Sequence, residues 1–229
     1  DYKVTGVQTC ALPIYLRARM QLVTGEGPAL DAALLSVQEI ALRTGASLEN
    51  TGTLFTRVLS AGREMGLAQA DALRLTESIN QAVAISGASA AASDAAITQL
   101  IQGLQSGVLR GEEFNSVVEQ SPRLAQALAD GMGVARSELR GLAQDGKISA
   151  ETVIQALQSQ ADVLEREFGQ LPQTVGRAVE NLNTAWSVFV GNLDRTTGFT
   201  SAVASGIGFI ADNLDELAAV AGRAGAVIV

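Results

Sequence analysis

The chain has 229 residues, 47% hydrophobic, 17% charged and 4% aromatic, with a formal net charge of −8. That length can bury a core without a disulfide or metal staple, the apolar share excludes compositional disorder, and the acidic balance argues against a phosphate-binding surface, which needs clustered Lys and Arg. Histidine is absent and Cys10 is the lone cysteine, which removes zinc sites, Ser-His-Asp triads, Cys-His nucleophiles and a disulfide framework.

In chain order, residues 1–14 stand apart. Val4-Thr5-Gly6-Val7-Gln8-Thr9-Cys10-Ala11-Leu12-Pro13-Ile14 resembles translated sequencing-adapter read-through. It shows no helical period and no signal-peptide cleavage pattern, so it is read as a non-native artefact outside the fold. The absent initiator methionine fits a fragment of a longer protein. Residues 15–44 form a helical lead-in. Gly25-Glu26-Gly27 breaks the chain, and Pro28 suits the first turn of a helix reaching about Arg43. Leu30, Leu34, Leu35, Val37 and Ala41 give its apolar face.

Residues 45–170 read as a domain of short helices. Ser47 can cap one, and Gly52 is expected to interrupt it. Leu54, Phe55, Val58 and Leu59 repeat at helical spacing, as do Ala72, Leu75, Ile79 and Ala82 on the next helix. A turn at Ile85–Ser89 leads to a helix with Ile97, Leu100, Ile101 and Leu104. Glycine then falls at 103, 107 and 111, a pattern that reads as a helix-loop-helix corner because Gln102, Gln105, Ser106 and Arg110 intervene. Phe114, Val117 and Val118 mark the following helix, and Ser121-Pro122 reads as an N-cap and first turn for Leu124, Ala127 and Leu128. Gly131-Met132-Gly133 breaks that helix. Leu139 and Leu142 mark another, ended at Asp145-Gly146-Lys147, and Ser149 caps the next. Val153, Leu157, Ala161, Leu164 and Phe168 step by 4, 4, 3 and 4 along a longer helix.

Residues 171–229 read as a long helical segment running into a truncated hydrophobic stretch. Val175, Val179, Leu182, Trp186, Phe189 and Leu193 step by 4, 3, 4, 3 and 4, a short heptad seam suited to helix pairing. Leu217–Val229 is apolar but interrupted by Arg223, too short for the roughly 18 apolar residues of a membrane span. The fold class is therefore all-α: an irregular bundle of short helices followed by longer helices with a short heptad seam.

No residue pattern carries catalytic chemistry. Glu112 and Glu113 are adjacent at a helix start, where the dipole favours negative charge, and read as capping. Gly131-x-Gly133 and Gly206-x-Gly208 lack the strand–turn–helix context of nucleotide loops. No catalytic, cofactor-binding or metal-ligating residue is assigned, and no cofactor is expected.

One ordered series of segments points further. Ser106-Gly107-Val108-Leu109-Arg110-Gly111-Glu112-Glu113-Phe114-Asn115-Ser116 is its centre. Met65-Gly66-Leu67 and Ser86-Gly87-Ala88-Ser89 precede it, and Glu119-Gln120 with Pro122, Gly133-Val134, Glu138-Leu139-Arg140 and Gly146-Lys147-Ile148 follow. Leu171-Pro172-Gln173-Thr174-Val175 with Asn181-Leu182 closes it. The series resembles the N-terminal domain of phage tail tape measure proteins over roughly residues 45–195. Ile148-Ser149 departs from a common Leu-Thr but keeps the turn and cap. On this resemblance, Ser106, Gly107, Leu109, Arg110, Gly111, Glu112, Phe114, Asn115, Pro122 and Gly146 are structural signature positions, and no catalytic residue is implied.

The resemblance implies a structural prophage or phage protein that sets tail length and supports tail assembly. It would lie in the virion tail interior after assembly in the bacterial cytoplasm. Expected partners are tube, tip or assembly-chaperone proteins, with self-association of the long helices, no sequence-specific nucleic acid, and membrane contact only through the C-terminal hydrophobic region. Two alternatives stand beside it: a membrane-active helical bundle, and a muralytic tail-associated module. Liposome leakage requiring residues 199–229 distinguishes the first, and clearing of cell wall in a zymogram the second.

Overall fold

The computed structural model describes residues 5–172 and positions 178, 181, 182, 184 and 185. Among them the chain forms α1 (Thr5–Thr24), α2 (Pro28–Thr44), α3 (Leu48–Gly62), a 3-10 turn (Arg63–Met65), α4 (Gln69–Ile85) and α5 (Ala90–Ser106). There follow α6 (Gly111–Gln120), α7 (Pro122–Met132), α8 (Arg136–Gln144), α9 (Ala150–Ser159) and α10 (Ala161–Phe168). The described residues contain no strand, only an isolated antiparallel bridge between Val108 and Ser149. The fold is all-α, as the spacing of apolar residues predicts.

α3 and α4 form the centre. α3 packs against α1, α2, α4 and α5, and α4 against α2, α7 and α10. Leu54, Phe55 and Val58 of α3 are fully buried, and Leu75 and Ile79 of α4 nearly so. Side chains three and four apart share one helix face, which is why those positions meet a common core. A buried polar link ties the two helices: Asn80 Nδ2 donates to Thr51 Oγ1 at 3.0 Å, and the Thr51 hydroxyl donates to Ser47 O at 2.8 Å.

Five expectations about the helices change. The helix α1 of the expected lead-in begins at Thr5, reaching back into residues 1–14, where the sequence shows no period. α1 carries almost no amphipathic stripe, so periodicity has little to detect there. It docks through Leu16 and Met20, both buried, and through an Arg17–Asp31 ion pair to α2. Gly52 does not interrupt α3. It lies inside the helix under Leu16, whose Cγ would stand 3.1 Å from a methyl at that position.

Ser121 does not cap α7 with its own side chain. The Ser86 hydroxyl, at the end of α4, accepts from Arg123 N–H at 3.1 Å and lies 3.0 Å from the Ser121 hydroxyl. Ser86 also reaches its own Ala82 carbonyl at 2.9 Å, so Ser121 is the donor between the two serines. The cap of α7 thus comes from another helix. Finally, the series Val153 to Phe168 is divided at Gln160 into α9 and α10. α9 packs on α7, while α10 packs on α4.

Ser47 and Ser149 cap their helices as the sequence suggests, and Ser89, read only as part of a turn, caps α5. Ser47 accepts from Asn50 N, Ser89 from Ala92 N and Ser149 from Thr152 N. Pro28 and Pro122 open their helices. Gly131 lies within α7 rather than after it, with Gly133 as the left-handed cap. α7 crosses α9 there so closely that a methyl on Gly131 would fall 2.6 Å from the Ala156 carbonyl carbon.

α10 packs on α4 through the buried Ala161 and Leu164, and two ion pairs add to that contact. Arg74 pairs with Asp162, and Arg123 makes a two-point contact with Glu167. The Arg123 guanidinium, by hydrogen bond and by charge, holds the Glu167 carboxyl below its usual range of about 4.5, against the opposing effect of burial.

Candidate functional site: the signature corner

Six of the ten signature residues meet at one structural corner, and the other four follow along α6 to its joint with α7. α5 ends at Ser106, and Gly107 turns the chain in the left-handed region (φ 81°), a conformation that costs a side chain roughly 1–2 kcal/mol. The Ser106 hydroxyl lies 3.1 Å from Gly103 O and 2.9 Å from Val108 O, tying the last turn of α5 to the loop. Leu109 then folds back over α5. Gly103 permits this, since a methyl there would stand 2.6 Å from Leu109 Cδ1 and 3.3 Å from its Cα.

A second loop completes the corner. Leu109 N donates to Ile148 O at 2.8 Å, and Ala150 N donates to Gly107 O at 2.9 Å. Leu109 (1% exposed) and Ile148 (fully buried) lie beneath this pair of bonds. Gly146, at φ 66°, turns the second loop toward the first. The backbone groups of the two loops are therefore matched where Leu109 and Ile148 turn inward, as buried backbone requires.

Arg110 stands in extended conformation before α6 and is exposed; its carbonyl accepts Phe114 N–H at 2.8 Å. Gly111 begins α6, and Glu112 and Glu113 occupy its first turn. Glu112 is exposed, and Phe114 is buried with Val117. Asn115 is half-buried, and its Oδ1 has no partner among the described residues. Pro122 is exposed at the first turn of α7.

The ten signature positions thus divide. Ser106, Gly107, Leu109, Arg110, Gly111 and Gly146 build the paired loops; Glu112, Phe114 and Asn115 build α6; Pro122 lies at the α6–α7 joint. Sequence reading missed the pairing partner, Ile148–Ala150. The only signal available was that Gly146-Lys147-Ile148 belonged to the same ordered series. It also missed Ser86, since a cap borrowed from another helix leaves no local pattern. Of the seam residues, Leu182 is helical and 72% exposed. Val175, Val179, Trp186, Phe189 and Leu193 lie outside the described residues, as does the Leu217–Val229 stretch.

The corner contains no nucleophile or paired acid and base. Among the described residues no group of three His, Cys, Asp or Glu side chains is placed to hold a metal, and no helix is long and apolar enough to cross a membrane. A cavity of about 310 Å³ lies elsewhere, where Thr44–Ser47, Asn80, Gly87–Ala90 and Leu171–Pro172 converge, and includes none of the signature residues. What the corner does is mechanical: it fixes α5, α6, α8 and α9 relative to one another.

A model of the tape measure protein family matches residues 15–195. The chain belongs to the tape measure protein family. It is thereby a structural protein of the phage tail, whose family works in contact with other tail components. Comparison with characterised proteins and with solved structures returns no match.

Proposed function

We propose that this tape measure protein sets tail length by its own length, and that residues 45–170 form a compact block at one end of the ruler. In this reading residues 15–44 are a lead-in, and residues 171–229 begin the extended helical part. The block contacts tube, tip or assembly-chaperone proteins in the tail interior, having been assembled with them in the host cytoplasm. A helix rises 1.5 Å per residue, so chain length converts directly into distance. The seam Val175, Val179, Leu182, Trp186, Phe189 and Leu193 pairs helices of neighbouring copies. Its support is the alternating 3–4 spacing and the exposure of Leu182.

The observation that carries the reading is the signature corner. Its residues spend their hydrogen bonds and apolar surface on joining helices. The decisive experiment alters length in the encoding phage. Inserting about 60 helix-forming residues C-terminal to the block should lengthen tails by about 90 Å in electron micrographs. Tails of unchanged length, assembled in normal yield, would overturn the proposal.

A further inference from the structure

We propose that the cavity between the ends of α2 and α4 and the start of α5 receives a lysine side chain of another tail protein. Its volume is about 310 Å³, within the range of a ligand pocket. Val83, Ile85, Ile97 and Leu171 give it apolar walls, and Asn80 and Asp94 line it with them. Asn80 is 1% exposed, and its Oδ1 accepts no hydrogen bond among the described residues. The orientation of that amide is fixed from outside the cavity. The Thr51 hydroxyl donates to Ser47 O, so it can only accept from Asn80 Nδ2, and Oδ1 is the atom left over. A buried acceptor without a donor is uncommon in folded proteins and calls for a cause.

Asp94 adds the charge. It is half-buried, and its Oδ1 accepts from Asn50 Nδ2 at 2.7 Å. Asn50 and Thr51 are neighbours on α3, so one turn of that helix holds both Asp94 and Asn80. None of the lining residues is Lys or Arg. The starts of α3 and α5 also border the cavity and by themselves favour an anion. That anion is already present as Asp94, and Ser47 and Ser89 cap the two first turns. What the cavity lacks is donors and a positive charge on an apolar stem. Lysine has both: a four-carbon stem that packs on apolar surface, and an ammonium with three donors and no acceptor. The chain's net charge of −8 also favours a basic partner. The inference rests on the reading that this block contacts other tail proteins, and not on tail length.

The test titrates the full chain, labelled with nitrogen-15, and follows its amide signals. The probes are N-acetyl-lysine-N-methylamide, its norleucine analogue, which keeps the stem and drops the ammonium, and its glutamate analogue as an anion. The lysine probe should shift Gly45, Gly87 and the Asn80 side-chain amide saturably, all three being cavity residues. The norleucine probe should bind about tenfold more weakly, the loss expected for a charge-assisted hydrogen bond, and the glutamate probe more weakly still. Asp94→Asn should weaken the lysine probe by about tenfold and leave norleucine unchanged. Ala84→Leu, which adds bulk to the cavity wall, should weaken both. Should either variant fail to fold, the three probes on the unaltered chain decide the matter. Norleucine binding as well as lysine would make this a plain apolar groove, and tighter glutamate binding would make it an anion site at the helix starts. Either result, lysine shifts that are absent or lie elsewhere, or lysine affinity unchanged by Asp94→Asn would overturn the proposal, whatever insertions do to tail length.

Discussion

Gly131 and Gly141 are both helical, yet the same substitution should act on them with opposite sign. Alanine is worth about 1 kcal/mol more than glycine in a helix interior. At Gly141, on the exposed side of α8, a methyl meets nothing within 4 Å. Gly141→Ala should therefore stabilise by about 0.5–1 kcal/mol. At Gly131 the methyl would press on the Ala156 backbone, which cannot rotate away. Overpacking of this kind costs about 1–3 kcal/mol, so Gly131→Ala should destabilise and lower the urea midpoint, while Gly141→Ala raises it. A rise at both positions would show that α7 and α9 separate easily. The contrast also marks what a sequence can convey at this scale. Gly107 and Gly133 are readable as punctuation because they follow apolar runs. Gly52, Gly103 and Gly131 look alike on paper, but each lies inside a helix because another segment crosses it, and a crossing has no local spacing.

Elements were legible wherever one face of a helix meets the core. Leu54–Phe55–Val58 and Ile97–Leu100–Ile101–Leu104 place α3 and α5 directly, and both series are buried. The part of α1 before Tyr15 escaped because the helix carries little stripe, and the α9–α10 division because the apolar stripe runs on through it. The junctions carry their own predictions. Ser86→Ala removes the acceptor for Arg123 N–H and strands the Ser121 hydroxyl, which is fully buried. Loss of a cap costs about 0.5–2 kcal/mol, and Ser86→Ala should fall in the upper half of that range. Ser121→Ala removes only a donor and should cost less; the reverse order in denaturant titrations would reassign the cap. The Arg123–Glu167 clamp has a pH signature. The Glu167 carboxyl is lowered in the folded state, so its contribution is present above the ordinary value of about 4.5 and is lost as pH falls through the lowered value. At neutral pH Glu167→Gln should cost under about 1 kcal/mol, since the pair is partly exposed. The difference from wild type should vanish as the solution is acidified, and a difference that persists in acid would mean packing, not charge, holds α10.

At the scale of the molecule, one buried cluster runs from Leu16 in α1 to Leu164 in α10. A core shared by ten helices implies that they unfold together. It also defines what the fold does not need. α1 is anchored by Leu16 and Met20, the first against Gly52 and both within that cluster, and the family match begins at residue 15. The adapter-like residues 1–14 are read as foreign to the protein. Their removal takes away the first part of α1 and keeps its anchors Leu16 and Met20, and end residues of a helix contribute little unless tied down. Thermal unfolding of a chain starting at Tyr15 should then remain a single cooperative transition, with a midpoint within about 2 °C of the longer chain. A domain of this size shifts by about 2–4 °C per kcal/mol, so a drop beyond about 5 °C would mean that residues 1–14 contribute more than about 1 kcal/mol. That result would return them to the native fold and make the adapter resemblance a coincidence.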